Sequence, residues 1–162
     1  MEFTVTQRFA CSPAHYWDKT RGDAFDSAVA KEAEVTASTV ESRREGARLV
    51  ERVAIKHITP MTTVAQKAFG KTHLEYMQEV ESDDERYTTR WKIVPSFFAD
   101  RVACTGDSLV REVAGGCERV IRGKIEVRLP LIGGTIEKQI GDQIQRSYSR
   151  AEPVIRRFVE NT

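Results

Sequence analysis

Apolar and polar side chains alternate through most of this chain. Phe3, Val5, Gln7 and Phe9 interleave with Glu2, Thr4, Thr6 and Arg8, the pattern of a strand with one buried face. Three pairs of similar segments follow at hairpin spacing: about 33–42 with 48–58, 72–81 with 85–94, and 101–112 with 118–129. Seven strands are therefore predicted. Beyond the Pro130–Gly134 break the period changes. Ile132, Ile136, Ile140 and Ile144, continued by Ala151, Ile155, Phe158 and Val159, trace one stripe of a long amphipathic helix. Between strand one and the first hairpin, Ser12-Pro13 caps a short helix, and Asp23 is the expected cap of a second over 24–31. The stretch Ile58–Gly70 has room for a loop and another short helix. A helix with one apolar stripe, following so many strands, must bury that stripe on the concave face of a curved antiparallel sheet. The expected class is α+β, organised as one domain over residues 1–162.

Hairpin register can be tested internally, because facing residues share a side of the sheet. Setting Glu81 against Arg86 across an Asp83-Asp84 turn brings Val80 to Tyr87, Gln78 to Thr89, Tyr76 to Trp91 and Leu74 to Ile93. Around Gly115-Gly116 the same exercise pairs Val102 with Leu129, Cys104 with Val127, Gly106 with Ile125, Ser108 with Gly123 and Val110 with Ile121. Around Arg44–Gly46 it pairs Val35 with Ile55, Ala37 with Val53, Thr39 with Glu51 and Glu41 with Leu49. All three registers collect the apolar residues on one inner face.

Composition narrows the function classes. Twenty-five basic against 24 acidic side chains leave a net charge of +1, which argues against nucleic acid as the main partner. Three cysteines, Cys11, Cys104 and Cys117, form no metal-ligand spacing and no disulfide framework. With no leader-like start and no membrane-length apolar run, a cytoplasmic protein is expected.

Two segments carry a family resemblance. Phe9-Ala10-Cys11-Ser12-Pro13-Ala14-His15-Tyr16-Trp17 resembles the strand end and Ser-Pro capped helix that opens many START-like (SRPBCC, Bet v 1-type) domains. Pro130-Leu131-Ile132-Gly133-Gly134-Thr135-Ile136-Glu137-Lys138 resembles the strand-to-helix junction of the bacterial START-like family DUF2505. In layout the chain is also similar, more weakly, to the PRELI-like phospholipid transfer proteins. The resemblance implies a helix-grip fold whose last helix closes a hydrophobic cavity, in a superfamily that includes both lipid carriers and cyclases.

Within such a cavity the inner face would present Glu51, Val53, Ile55, Tyr76, Gln78, Tyr87, Thr89, Trp91, Cys104, Ile121 and Ile125, opposite Ile136 and Ile140 of the helix. Apolar walls with a few polar atoms suit a hydrophobic or amphipathic small molecule such as a lipid, isoprenoid or polyketide-like compound. Glu51 and His57 are the groups best able to do acid/base chemistry there, Glu51 because desolvation between Leu49 and Val53 would disfavour its charge. Six residues of strand separate them by about 20 Å, too far to act as a pair. A cyclase, dehydratase or hydrolase using the same cavity, with Glu51 as its acid/base group, is the alternative to simple binding. An interaction module with a filled core is the third reading. No metal or other cofactor is expected: the histidines lack ligand spacing, and no GxGxxG or GxxxxGK[ST] run is present. Gly133-Gly134 reads as a backbone turn into the helix rather than an anion site. Arg86, Arg90, Lys92, Arg122, Lys124 and Arg128 fall in outward rows among glutamates. Cross-strand pairing on a solvated face accounts for them, with transient contact to a membrane surface as the other reading.

Overall fold

A computed structural model describes residues 1–161. In chain order the elements are β1 (Glu2–Phe9), α1 (Pro13–Lys19), α2 (Asp23–Glu32), β2 (Val35–Glu45), β3 (Arg48–His57), α3 (Thr63–Phe69), β4 (Glu75–Asp83), β5 (Thr88–Pro95), β6 (Val102–Val113), β7 (Gly116–Val127) and α4 (Gly133–Glu160). The strands form one curved antiparallel sheet in the order β1-β7-β6-β5-β4-β3-β2, and α4 lies in its grip. This is the helix-grip plan, with β1 brought beside β7 by the excursion through α1 and α2.

The Ser12 side chain accepts from the His15 amide and Pro13 opens α1, as expected. Asp23 is not the cap of α2. Gly22, at φ 97°, holds that position and Asp23 begins the helix, where its charge complements the exposed amides of the first turn. Gly133 begins α4 close against β7: a Cβ there would lie 2.4 Å from the Val127 carbonyl oxygen, so only glycine permits this approach.

The faces are as the alternation predicts, but all three registers differ. Tyr76 pairs with Pro95, Gln78 with Ile93 and Val80 with Trp91, because the β4–β5 connection is a four-residue turn over 84–87 rather than a tight Asp83-Asp84 turn. Tertiary contacts hold it there: the Trp17 indole N–H donates to Asp84 at 2.9 Å, and Tyr87, at φ 53°, packs on the Trp17 ring. In β6–β7 a two-residue Ala114-Gly115 turn sets Val102 against Val127, Cys104 against Ile125 and Ser108 against Ile121. In β2–β3, Thr39 pairs with Val53, and an irregularity between Thr39 and Glu41 then sets Ser42 against Glu51. The two simple slips are even-numbered, so they move partners without turning side chains to the other face.

The interior divides along α4. At its C-terminal half, Ala151, Ile155 and Val159 pack with Phe9, Tyr16, Trp17, Val110 and Cys117 into a solid core. At its N-terminal half, Ile136 joins Phe3, Ile125, Val127, Trp91 and Cys104, with Ala65 and Phe69 of α3 closing the side. No helix among the described residues is long and apolar enough to cross a membrane.

Candidate functional site

The second half of the interior is not filled. A cavity of about 410 Å³ lies between α4, α3 and strands β3 to β6. Tyr76 and Gln78 of β4, Trp91 and Ile93 of β5, and Cys104 of β6 form its sheet wall. Ile136, Ile140, Ile144 and Tyr148 of α4 form the opposite wall, one helical turn apart. Ala65 and Phe69, one turn apart on α3, and Met61 just before its cap supply the third side. Ile140 and Ile144 sit in the apolar stripe of α4 yet are only half-buried, because the cavity lies opposite them.

Six of the residues expected at a cavity border this one: Tyr76, Gln78, Trp91, Cys104, Ile136 and Ile140. Seven do not. Ile121 and Ile125 are fully buried on β7, where the packing of β1 and α4 leaves no space. Val53 and Ile55 lie on β3, Ile55 at 9% exposure, outside the cavity wall. Tyr87 belongs to the turn beneath Trp17, and the Thr89 hydroxyl meets Ser82 at 3.5 Å. Glu51 is paired with Val80 but stands at the far end of β3, close enough to Arg21 and Asp26 of the α1–α2 segment for its charge to act on both. Its charge is felt by Asp26, whose carboxyl is pushed above the usual range by desolvation and then by Glu51. The acid/base candidate of the sequence thus stands outside the cavity.

His57 stands at its edge. The end of β3 carries the imidazole into the interior, where its Nε2 lies 3.4 Å from the Tyr76 hydroxyl and its Nδ1 lies 3.1 Å from the Gln143 side-chain nitrogen of α4. With the Gln143 amide donating to Nδ1, the ring proton resides on Nε2 and points at Tyr76. Burial pushes the His57 pKa down, keeping the ring neutral, and burial pushes the Tyr76 hydroxyl up, so it remains a donor. The chain Gln143–His57–Tyr76 therefore ends in a phenolic O–H free to meet a molecule in the cavity. Elsewhere on the wall the Trp91 indole nitrogen is buried without a partner. Cys104 is held as a thiol, its pKa pushed to about 12 by burial.

A second, smaller pocket of about 170 Å³ adjoins the first. His57, Gln143, Arg146 and Ser147 border both, and the outer pocket is completed by Ala33, Glu34, Thr59 and Arg150. Sequence reasoning missed this polar side. Its trace was a second stripe beside the isoleucines, Gln139, Gln143 and Ser147 at four-residue spacing. Among the described residues no group of histidine, cysteine and carboxylate side chains is placed to hold a metal.

The outer sheet face is laced with ion pairs. Lys124 meets Glu126 at 2.8 Å, Arg48 meets Glu81 at 2.9 Å and Lys56 meets Glu75 at 3.0 Å. Arg90 is set across from Glu81 and Asp107 by the registers of β5. Pairing with carboxylates, along β7 for Lys124 and across strands for Arg48, Lys56 and Arg90, accounts for these basic residues.

Comparison with known proteins places this architecture. The model of a family described as "Protein of unknown function (DUF2505)" matches residues 4–159. No curated protein matches the sequence. Among solved structures, TTHA0849 from Thermus thermophilus is similar at 21% identity and TM-score 0.64, over 99% of this chain and 98% of that one. Ara h 8.0201 is similar at 12% identity and TM-score 0.65, over 96% and 97% of the two chains. The Zhui aromatase/cyclase from Streptomyces sp. R1128 is similar at 11% identity and TM-score 0.66, over 99% of this chain and 92% of that one. At such identities the likeness is one of fold.

Proposed function

The chain belongs to the DUF2505 family, and for a member built around this cavity we propose that the function is to bind a hydrophobic or amphipathic small molecule between the sheet and α4. Lipid, isoprenoid and polyketide-like compounds are the ligand classes of suitable chemistry. The observation that supports this reading is the space itself. About 410 Å³ of mostly apolar lining lies within the range of small-molecule sites, and no residue of α4 or the sheet fills it. A core selected only for stability would close such a gap, since each unfilled volume forfeits dispersion contacts. On the sheet wall the Tyr76 hydroxyl and the Gln78 amide, and on the α4 side Gln143 and its polar neighbours, stand where they would orient a ligand that has entered for hydrophobic reasons.

Titration with the neutral fluorophore N-phenyl-1-naphthylamine tests it. Saturable binding of one equivalent is expected, together with its loss in Ile140→Trp, which puts an indole into the cavity while circular dichroism stays native. An absence of saturable binding to the wild-type chain, or equal binding to Ile140→Trp, would defeat the proposal. Native mass spectrometry of protein purified from its own source would then identify the natural ligand.

The Gln143–His57–Tyr76 chain favours a second reading, turnover of a compound in the same cavity. The Tyr76 hydroxyl can lend its own proton to a bound molecule, and the His57 Nε2–H that donates to the same oxygen would stabilise the phenolate left behind until the proton returns. Similarity in fold to a protein described as an aromatase/cyclase supports asking for turnover in this cavity. Conversion of a bound compound that His57→Gln abolishes would establish it.

A further inference from the structure

We infer that the ligand is an amphipathic anion whose carboxylate head rests at Arg146 while its apolar body fills the inner cavity. The inference rests on the binding role proposed above and names the chemistry that role would select. Arg146 borders both the inner and the outer pocket and has no carboxylate within ion-pairing distance among the described residues. The neighbouring acids are engaged. Glu34 receives Arg150 at 2.9 Å and the Thr59 hydroxyl at 3.2 Å, and Asp142 receives Lys138 at 2.7 Å.

The outer pocket thus holds two guanidinium groups against one carboxylate, with His57 neutral: a net charge of +1, suited to one carboxylate. The donors are specific. The Ser147 hydroxyl already donates to the Gln143 carbonyl at 3.0 Å, and that of Thr59 donates to Glu34. What faces an incoming anion is therefore the guanidinium of Arg146, which can grip both oxygens at once, assisted by the spare N–H groups of Arg150. Gln143, Arg146, Ser147 and Arg150 fall at i, i+3, i+4 and i+7, so one face of α4 carries the polar site directly beside the isoleucine stripe. Sequence spacing on a single helix then joins the two halves of the ligand. The inner volume is between two and three times the roughly 150 Å³ cavity that accepts benzene, which suits a chain of about twelve carbons or two to three fused rings.

A matched pair of ligands separates the head from the tail. Dodecanoate and 1-dodecanol, below their aggregation concentrations, are titrated as competitors of N-phenyl-1-naphthylamine against wild type, Arg146→Met and Arg157→Met. Arg157 is exposed on α4 and borders neither pocket, so its variant controls for a change of net charge. Dodecanoate should displace the probe about tenfold better than dodecanol in wild type, and this preference should shrink in 0.5 M salt. It should vanish in Arg146→Met and persist in Arg157→Met. Equal displacement by acid and alcohol in wild type, or equal loss in both variants, overturns the headgroup site while leaving the cavity reading intact. Failure of either compound to displace a bound probe overturns it also. Failure of the probe itself to bind removes both readings.

Discussion

Gly106→Ala should damage stability and the cavity together. Gly106 of β6 pairs with Gly123 and lies beneath the Trp91 ring. A Cβ there would come within 2.2 Å of Trp91 Cζ2 and 2.5 Å of the Arg122 carbonyl oxygen. The two clashes relax differently. The indole has open volume on its other side and can swing into it, at the expense of the ligand space. The Arg122 carbonyl belongs to the backbone of β7 and cannot move without disturbing the ladder. Overpacking a formed core costs about 1–3 kcal/mol, and the immovable carbonyl puts this case at the upper end, about 3 kcal/mol. For a urea slope of about 2 kcal/mol/M the unfolding midpoint should fall by about 1.5 M. Equilibrium denaturation followed by circular dichroism gives the midpoint. In a Trp17→Phe background, fluorescence of Trp91, then the remaining tryptophan, reports where the indole has gone. Adding Trp91→Leu should recover part of the loss, because it removes one clash and leaves the other. A Gly106→Ala midpoint within about 0.3 M of wild type would refute the argument that the close approach of Trp91 to β6 requires glycine.

Two more outcomes follow from the same interior. His57 has its pKa lowered by burial, so the unfolded chain binds more protons than the folded one below the unfolded value of about 6.5; stability should fall as pH drops from there towards the folded value, and His57→Asn should flatten that part of the profile in urea titrations at stepped pH. Cys104 and Cys117, each with a pKa pushed to about 12 by burial, should resist iodoacetamide at pH 8 in the native protein and react once it is unfolded in urea, with mass spectrometry counting the adducts; rapid native alkylation of Cys104 would mean that the cavity is not dry around it.

Element order, side-chain faces and family were legible in the chain because each depends on short-range regularity. Alternation assigns every strand residue to a side, and the four-residue recurrence of isoleucines marks α4, whatever the partners turn out to be. Register was less accessible. The β4–β5 turn lies where Asp84 can accept from Trp17 and Tyr87 can pack on it, and Trp17 is 67 positions away from Asp84 in sequence. Local turn chemistry carries no sign of that partner. The cavity is the clearest case of a decision made in three dimensions. Ile125 and Ile140 look alike in sequence, an apolar residue on an inner face, yet Ile125 is fully buried beneath α4 while Ile140 borders an open space. What separates them is what lies opposite: Ile125 packs with Ile136 and beneath Gly141 of α4, whereas Ile140 faces the space between α4, α3 and strands β3 to β6. Likewise Glu51 and His57 share a face of β3, but only the tertiary arrangement decides that Glu51 stands near Arg21 and Asp26 of the α1–α2 segment and His57 meets Gln143. Sequence by itself determined which side chains point inward; the tertiary structure alone determined where the inside is full and where it is empty, because void volume belongs to the arrangement of several elements and to no single one of them.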